Sequence, residues 1–153
     1  MEVIVYTDGS ALGNPGPGGF GVVLMYGPHR KEMSGGFRRT TNNRMELLAV
    51  IVALEALKKD GLPVTIYSDS QYVVNSVQKG WVFSWEKKGY KDKKNGDLWQ
   101  RFLQVYRKHK VSFRWVRGHV GVPENERCDQ LATSAARGSH LETDEAYEKG
   151  LAG

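Results

Sequence analysis

The feature that most constrains the fold is the segment RMELLAVIVALEALKK (44–59), a strong helix former with apolar residues on nearly all sides. Such a helix must be largely buried, and Asn42 or Asn43 is expected to cap it. Residues 2–8 are β-branched and aromatic and predict a strand that precedes it, and residues 20–26 and roughly 30–38 predict two more, joined by a Gly-Pro hairpin.

The rest of the chain alternates strands with helices. The pattern predicts strands at 64–68 and 111–116 and helices at 70–79, 97–109 and 123–137. Helices interleaved with strands after an opening antiparallel run predict a mixed α/β sheet with helices packed on it. At 153 residues the chain is expected to form one domain. Residues 138–153 hold four acids and one lysine and predict a loosely ordered acidic tail.

Charge is unevenly distributed along the chain, whose net charge is +5. Between Lys79 and Arg117 there are twelve Lys or Arg residues and three acids. Within this stretch, residues 79–96 (here the basic segment) alternate Trp81, Trp85 and a tyrosine with lysines. A localised basic block beside aromatic residues is typical of phosphate binding, although a solvated basic face is the alternative interpretation.

The sequence predicts a cytoplasmic protein without a membrane association. No apolar run approaches the roughly 20 residues that cross a bilayer. The N-terminus has no basic stretch followed by an apolar signal core. A single cysteine, Cys128, excludes an internal disulfide and fits a reducing compartment.

Four acidic residues occupy positions where an acid is not expected to stabilise the fold. Asp8 ends an apolar strand, Glu46 lies in the first turn of the most apolar helix, Asp69 follows a strand, and Asp129 lies within the last predicted helix. Taken singly, each is explained by capping, a turn or a helix surface. Taken together, four converging carboxylates would repel one another unless a cation neutralised them, and a hard divalent ion such as Mg²⁺ prefers oxygen ligands.

Four motifs carry a resemblance to a known family. They are TDGSALGNPGPGGFG (7–21), TTNNRMELLAVIVAL (40–54), YSDSQYVVNSV (67–77) and VRGHVGVPENERCDQLA (116–132). In this order and spacing they resemble the type-1 ribonucleases H of bacteria. The resemblance implies a ribonuclease H domain over residues 1–137, with a five-stranded mixed sheet whose first three strands are antiparallel and with helices on both faces.

The resemblance also implies an activity: an endonuclease that hydrolyses the RNA strand of RNA–DNA hybrids and leaves 3′-hydroxyl and 5′-phosphate ends. Two Mg²⁺ ions, with Mn²⁺ as a substitute, would be held by Asp8, Glu46, Asp69 and Asp129. His119, in the RGHVG loop, matches a family histidine implicated in proton transfer and product release, and its ordinary pKa suits that role. The expected partner is the hybrid duplex, bound by a monomer that needs no other protein.

Candidate substrate-binding residues fall into three groups. Short polar side chains beside the acids suit recognition of ribose 2′-hydroxyls, and the resemblance places Asn14, Asn42 and Gln71 at the RNA strand, with Asn43 adjacent. It places Arg39, Thr41 and Asn95 around a DNA-strand phosphate. From the basic segment, Lys87, Lys88 and Lys91 are expected to face the DNA backbone. Trp81 and Trp85 are further candidates for substrate binding, with a position in the core as the alternative.

Two other functions remain open on the sequence. A non-catalytic module that binds hybrids or double-stranded RNA would be favoured by the loss of an acid, whereas all four are present. A DNA-cutting nuclease of the same superfamily usually carries further DNA-binding or dimerisation regions, for which one compact domain leaves little room. Cleavage of an all-DNA duplex against a hybrid separates these functions.

Overall fold

The computed structural model describes residues 2–117 and 122–153. Its five strands are β1 (Val3–Ala11), β2 (Gly16–Tyr26), β3 (His29–Thr40), β4 (Pro63–Ser68) and β5 (Lys110–Trp115). Its helices are α1 (Asn42–Glu55), α2 (Gln71–Gln78), α3 (Trp81–Lys87), α4 (Gly96–Tyr106), α5 (Pro123–Ala136) and the short α6 (Glu145–Glu148).

The strands form one sheet in the order β3-β2-β1-β4-β5. The β1–β2 and β2–β3 pairs are antiparallel, and β4 joins β1 in parallel and is joined by β5 in parallel. The predicted five-stranded mixed sheet with three antiparallel opening strands is therefore confirmed. Because β1 and β4 are parallel neighbours, their carboxyl ends lie at the same edge of the sheet.

Helices cover both faces of the sheet, and two glycines mark how closely they approach. A Cβ at Gly9 on β1 would collide with the backbone of Met45 and Glu46 on α1. A Cβ at Gly21 on β2 would collide with the backbone of Cys128 on α5. Neighbouring residues of a strand point to opposite faces, and Gly9 pairs with the residue before Gly21. α1 and α5 therefore pack on opposite faces.

Helix α1 is buried, as its all-round apolar pattern predicts, but its N-terminus differs from the expectation. The cap is Thr41, whose side chain accepts a hydrogen bond from the Arg44 N–H at 3.2 Å. Asn42 is already helical, and its side chain accepts instead from the Ala11 N–H at 2.6 Å. The expected cap at Asn42 or Asn43 is therefore wrong, because the hydroxyl one residue earlier meets the geometry of the capping position. The helix also ends at Glu55, before the lysines that the pattern included.

The C-terminal segment, residues 138–153, packs on the domain, which differs from the expected loosely ordered tail. It joins β3 through a parallel bridge between Phe37 and Glu142. Asp144 is buried and accepts hydrogen bonds from the buried guanidinium of Arg44. The acidic composition suggested a solvated tail, but two of its acids are ion-paired with arginines 100 and 110 residues earlier in the chain.

Candidate active site

Asp8 lies near the C-terminal end of β1, at the edge of the sheet where the C-terminal ends of β1 and β4 meet. It is only 4% exposed, opposite Gly21 of β2. The β1–β4 register pairs Tyr6 with Tyr67, and its continuation brings Asp8 level with Asp69, directly after β4. The strand pairing itself therefore sets two carboxylates side by side.

Glu46 reaches the same place from α1. The close approach of Gly9 to the backbone at Met45 and Glu46 brings the first turns of the helix against the exit of β1. Glu46 is 9% exposed, and its buried Oε1 has no hydrogen-bond partner among the described residues. A buried, unsatisfied carboxylate oxygen is costly unless something binds it.

One carboxylate oxygen each from Asp8, Glu46 and Asp69 lies within 4.8 Å of the others. These three residues are here called the carboxylate cluster. Asp69 is half-buried, and its backbone carbonyl accepts a hydrogen bond from the indole N–H of Trp115 at 3.2 Å. An all-oxygen cluster of this size has the ligand chemistry and dimensions to hold a hard divalent cation.

Asp129 adjoins the cluster from α5 but is more open. It is exposed, and it does not belong to the group of three within 4.8 Å. Its side chain is nevertheless within hydrogen-bonding reach of Asp8, where it contributes to the raised pKa of that residue. Three of the four predicted acids thus converge tightly, and the fourth lies beside Asp8 on the solvent side.

Burial and the repulsion of neighbouring negative charges raise the pKa of Asp8 and of Glu46. Burial, followed by the charge of Asp69, raises the pKa of Asp8 to about 8. Burial, followed by the charges of Asp8 and Asp69, raises the pKa of Glu46 well above its ordinary value. A bound cation would reverse this balance, because it stabilises the ionised forms that burial and repulsion disfavour.

The polar residues predicted to contact the RNA strand lie in the loop after β1 and at the starts of α1 and α2, and they differ in their surroundings. The Asn14 side chain accepts a hydrogen bond from the Asn42 N–H at 3.1 Å, so the loop after β1 is fastened to α1. Gln71 is exposed as the first residue of α2, two residues after Asp69. Asn43 is exposed on the first turn of α1. These positions leave Gln71 and Asn43 accessible to a ligand, whereas Asn14 and Asn42 also have a structural role.

Arg39, Thr41 and Asn95 meet at a surface cavity of about 660 Å³, here called the lateral cleft. Asn95 is 7% exposed, and its side chain donates to the Tyr72 hydroxyl at 3.1 Å and accepts from Arg44 at 3.3 Å. The remaining lining comes from the β1–β2 loop, α1, the end of the basic segment and the C-terminal segment: Asn14, Pro15, Asn43, Lys94, Tyr147, Glu148, Gly150, Ala152 and Gly153.

The basic segment folds into α3 and the loop that follows it. Trp85 is half-buried and packs edge-on against the buried Trp99, with ring centroids 5.9 Å apart, whereas Trp81 is 44% exposed. The lysines named from the sequence, at positions 87, 88 and 91, are all exposed. One tryptophan therefore anchors the segment to the core and the other faces solvent. His119 lies outside the described residues.

Sequence reasoning missed the buried charge network beneath the lateral cleft. Arg44 is 2% exposed, and its guanidinium donates to Asp97 at 2.8 and 2.9 Å and to Asp144 at 2.8 and 2.9 Å. The one available signal was an arginine in the first turn of the most apolar helix. Its two partners lie 53 and 100 residues later in the chain, where no local pattern reveals them.

A mixed five-stranded sheet that gathers carboxylates at the exit of two parallel strands is the architecture of ribonuclease H folds. The ribonuclease H family profile matches residues 1–137, and the chain belongs to this family of metal-dependent endoribonucleases. It is 56% identical over 151 residues to the ribonuclease H of Syntrophus aciditrophicus (strain SB), covering 95% of this chain and 87% of that protein.

Two solved structures are similar in fold. LC9-RNase H1, a type 1 RNase H with the type 2 active-site motif, is 36% identical, with a TM-score of 0.80 and coverage of 99% of this chain and 81% of that one. LC11-RNase H1 in complex with an RNA/DNA hybrid is 28% identical, with a TM-score of 0.65 and coverage of 88% and 96%. Within the described residues, none of the helices has the length and apolar character needed to cross a membrane.

Proposed function

We propose that this chain hydrolyses the RNA strand of RNA–DNA hybrids at the carboxylate cluster and leaves 3′-hydroxyl and 5′-phosphate ends. The observation that carries this function is the gathering of three carboxylate oxygens within 4.8 Å at the exit of β1 and β4, in a chain that belongs to the ribonuclease H family. Carboxylates at this density suit the binding of cations that neutralise a phosphodiester under attack.

Asp8, Glu46, Asp69 and Asp129 would together hold two Mg²⁺ ions, with Mn²⁺ as a substitute. The buried Glu46 Oε1 without a hydrogen-bond partner among the described residues supports this fit. When bound, the two ions would neutralise charge on the attacking and leaving oxygens. The protein contributes a rigid frame for them, since β1, β4 and α1 fix three of the carboxylates from different elements. Asp129 is exposed on α5, which suits a ligand on the side where the substrate enters.

His119 is proposed to transfer the proton that the reaction releases or requires, and to assist departure of the product. Its sequence position supports this role, because it stands a few residues before Pro123, the start of the helix that carries Asp129. A neutral imidazole near pH 7 exchanges protons readily. Its removal should slow turnover by no more than about 10²–10⁴-fold, because water partly replaces a general acid or base.

Recognition of the RNA strand is proposed to depend on Asn14, Asn42, Asn43 and Gln71. Their amide groups both donate and accept hydrogen bonds, as a ribose 2′-hydroxyl does. The exposure of Gln71 close to Asp69 supports a contact near the scissile phosphate. A duplex without 2′-hydroxyls in this strand would leave these contacts unmade.

The DNA strand is proposed to bind at two other places. Arg39, Thr41 and Asn95 in the lateral cleft are assigned to one DNA phosphate, and the exposed Arg39 supplies the charge for it. Farther along, the DNA backbone is assigned to the basic segment through Trp81, Trp85, Lys87, Lys88 and Lys91. Contacts to phosphates carry no sequence information, so cleavage should depend little on sequence. The enzyme is proposed to act as a cytoplasmic monomer.

The test is a cleavage assay on three duplexes of one sequence: RNA–DNA hybrid, all-DNA and all-RNA. In Mg²⁺ the hybrid should be cut in its RNA strand alone. Asp8→Asn should abolish cleavage while hybrid binding survives, because affinity comes mainly from phosphate contacts elsewhere. Cleavage of the all-DNA duplex would favour a DNA nuclease, and binding without any cleavage would favour a non-catalytic module. Activity of Asp8→Asn within a few-fold of the parent would remove Asp8 from the mechanism.

A further inference from the structure

The C-terminal segment forms one wall of the lateral cleft. It is fastened along β3 by the Arg38 N–H, which donates to the Glu142 carbonyl at 2.8 Å, and by the Glu142 N–H, which donates to the Gly36 carbonyl at 2.9 Å. At its end the Ala152 carbonyl accepts from the Asn95 N–H at 2.6 Å. Between these two attachments α6 turns Glu148 toward the cleft. The wall is therefore held at both ends.

The C-terminal segment places a negative charge beside the proposed ligand, a DNA-strand phosphate that is also negatively charged. Among the side chains of the described residues that line the cleft, two are cations, Arg39 and Lys94, and one is a carboxylate, Glu148. A carboxylate at the surface of a phosphate-binding cleft repels the phosphodiester, and the repulsion is strongest where water is partly excluded. The side chain of Glu148 is 20% exposed beside Arg38, although the residue as a whole lies at the surface. Such a residue weakens DNA binding unless its charge is balanced from outside the cleft.

Arg38 provides that balance. Its Nε donates to Glu148 Oε2 at 2.9 Å and to Oε1 at 3.1 Å, and its Nη2 donates to Oε1 at 2.9 Å. A guanidinium that engages both oxygens fixes the orientation of the carboxylate as well as its charge. These hydrogen bonds lower the pKa of Glu148, so the pair stays ionised as a unit. Arg38 is not among the described residues that line the cleft, whereas its neighbour Arg39 is.

We propose that Arg38 is a positioning residue for DNA-strand binding: it neutralises Glu148 and so lets the C-terminal segment wall the lateral cleft without repelling the phosphodiester. This rests on the proposed assignment of the cleft to a DNA-strand phosphate. Arg38 acts through Glu148 and does not touch the phosphate. The pair accordingly determines how much of the charge of Arg39 and Lys94 the DNA strand experiences.

A double-mutant cycle in the full chain separates this role from a structural one. The variants are Arg38→Gln, Glu148→Gln and the double replacement, each in the Asp8→Asn background so that the probe stays intact. The probe is a fluorescently labelled RNA–DNA hybrid, and its dissociation constant is measured by anisotropy at several salt concentrations. Arg38→Gln should weaken binding by about five-fold, since it leaves one unbalanced charge near a phosphate at the protein surface. Glu148→Gln should bind at least as tightly as the parent, and the double variant should return to within about two-fold of it.

Two control variants test whether the effect is specific to Arg38 and Glu148. Arg30→Gln removes the same charge from the same strand, but Arg30 pairs with Glu32 and is not among the described residues that line the cleft. Glu145→Gln is the corresponding control on α6, where Glu145 is exposed and pairs with Lys149. Arg30→Gln should not change binding by more than about two-fold, because Arg30 lies at the opposite end of β3 from Arg38 and its exposed charge is largely screened. Glu145→Gln removes a charge that acts on Arg38 through space without a hydrogen bond to it, and it should change binding less than Glu148→Gln does.

Three results would overturn the proposal. If Glu148→Gln weakened binding as much as Arg38→Gln, the pair would serve only to hold α6 in place. If the double variant stayed as weak as Arg38→Gln, Arg38 would contact the phosphate directly. If Arg30→Gln matched Arg38→Gln, only overall charge would matter. A parent that failed to bind the hybrid would instead contradict the proposed function itself, and the failure would appear before any change at position 38 or 148.

The strand assignment is tested with neutral linkages in the probe. Methylphosphonates placed in the DNA strand should erase the difference between Arg38→Gln and the parent, and the same linkages in the RNA strand should leave it intact. The reverse pattern would assign the cleft to the RNA strand and overturn the proposal.

Discussion

At the scale of single residues, the carboxylate cluster destabilises the folded protein when no cation is bound, and the same carboxylates can bind a cation. Asp8 and Glu46 are 4% and 9% exposed, and burial together with neighbouring negative charge raises the pKa of both. At neutral pH the protein without a cation therefore either retains protons at these carboxyls or suffers their repulsion. A divalent cation removes both penalties, so the capacity to bind metal and the instability of the metal-free site have one physical origin.

The metal-free protein should lose stability as pH rises from about 5 to about 8, above the range in which carboxyls with a lowered pKa, such as Glu32 and Asp144, become ionised. The pKa of Asp8 is raised in the folded state to about 8, so between its ordinary pKa and that value the folded state binds more protons than the unfolded state. Under this condition the free energy of unfolding falls as pH increases. Thermal unfolding in EDTA should give a melting temperature lower at pH 8 than at pH 5 by about 5 °C or more.

Two comparisons identify the source of that pH dependence. Asp8→Asn should flatten the profile, because the amide does not titrate, and Mg²⁺ should raise the melting temperature at pH 8 far more than at pH 5. The exposed Glu145→Gln should leave the profile as it is. A melting temperature that rose steadily with pH up to 8 in EDTA would contradict the inferred protonation of the cluster.

At the scale of elements, the sequence predicted the helices and strands that are determined by local residue patterns. The strands, the buried helix α1 and the helix beginning at Pro123 follow from apolar periodicity and turn residues, and their positions agree with the structure to within a few residues. The predicted cap of α1 was wrong because Thr41 and Asn42 are both good capping residues. The tertiary hydrogen bond from the Ala11 N–H to the Asn42 side chain, which the sequence does not reveal, leaves Thr41 as the cap. Convergence of the acids was expected from the four motifs and the family resemblance, because the residues alone did not establish that β1 and β4 are neighbours. The depth of their burial could not be predicted.

The basic segment gives a prediction at this scale. Replacing Lys87, Lys88 and Lys91 with Ala should weaken hybrid binding and reduce the slope of log affinity against log salt by about 2–3, since each of the two or three lost phosphate contacts contributes roughly 0.9. Turnover at saturating substrate should hardly change, because these lysines are assigned to the DNA backbone and not to the reacting phosphate. Binding isotherms at several salt concentrations provide the measurement.

The matched control removes three exposed lysines from the opposite edge of the sheet. Lys58 and Lys59 precede β4, and the carbonyl of Lys108 accepts from the nearby Gly61 N–H, so all three lie at the end where β4 begins. Their replacement with Ala removes the same charge and should leave the salt slope near that of the parent. Equal slopes for both triple variants would mean that the basic segment is only a solvated face.

At the scale of the whole molecule, the C-terminal segment is where sequence reasoning was least informative. Its composition predicted a solvated tail, yet Asp144 lies under the lateral cleft and bonds Arg44 and Thr40. Burial opposes ionisation of Asp144, but the hydrogen bonds from Arg44 and Thr40 outweigh it and hold its pKa below the ordinary value. Pairs separated by a hundred residues leave no periodic signal, so only the folded chain reveals them.

Breaking this long-range pair should destabilise the whole domain. Asp144→Asn keeps the shape of the side chain but removes a charge opposite a guanidinium that is 2% exposed. Arg44 retains Asp97 as a partner, so the expected loss in the free energy of unfolding is about 3 kcal/mol, at the lower end for a broken buried pair. Urea unfolding of the variant and of Glu145→Gln gives the comparison, and the exposed control should change by less than about 0.5 kcal/mol. Equal, small effects would mean that Asp97 alone satisfies Arg44.

The number of consecutive ribonucleotides that the protein must contact depends on residues from several parts of the molecule. The polar residues assigned to the RNA strand come from separate parts of the chain: the loop after β1 (Asn14), the first turn of α1 (Asn42 and Asn43) and the start of α2 (Gln71). Recognition distributed in this way needs several consecutive 2′-hydroxyls in the minor groove. A single ribonucleotide within duplex DNA would satisfy only part of it.

We therefore expect efficient cutting of DNA–RNA–DNA/DNA duplexes that contain at least about four consecutive ribonucleotides, and negligible cutting at an isolated one, because the contacts to 2′-hydroxyls are spread along the groove. The measurement is the initial rate on duplexes with one to six consecutive ribonucleotides at equal enzyme and Mg²⁺ concentrations. Gln71→Ala should lower the rate on the four-ribonucleotide duplex more than it weakens binding of an all-DNA duplex, which offers no 2′-hydroxyl to lose. Comparable rates on the one- and four-ribonucleotide substrates would contradict distributed recognition even with the metal ligands correctly assigned, and would indicate an enzyme that reads a single RNA–DNA junction.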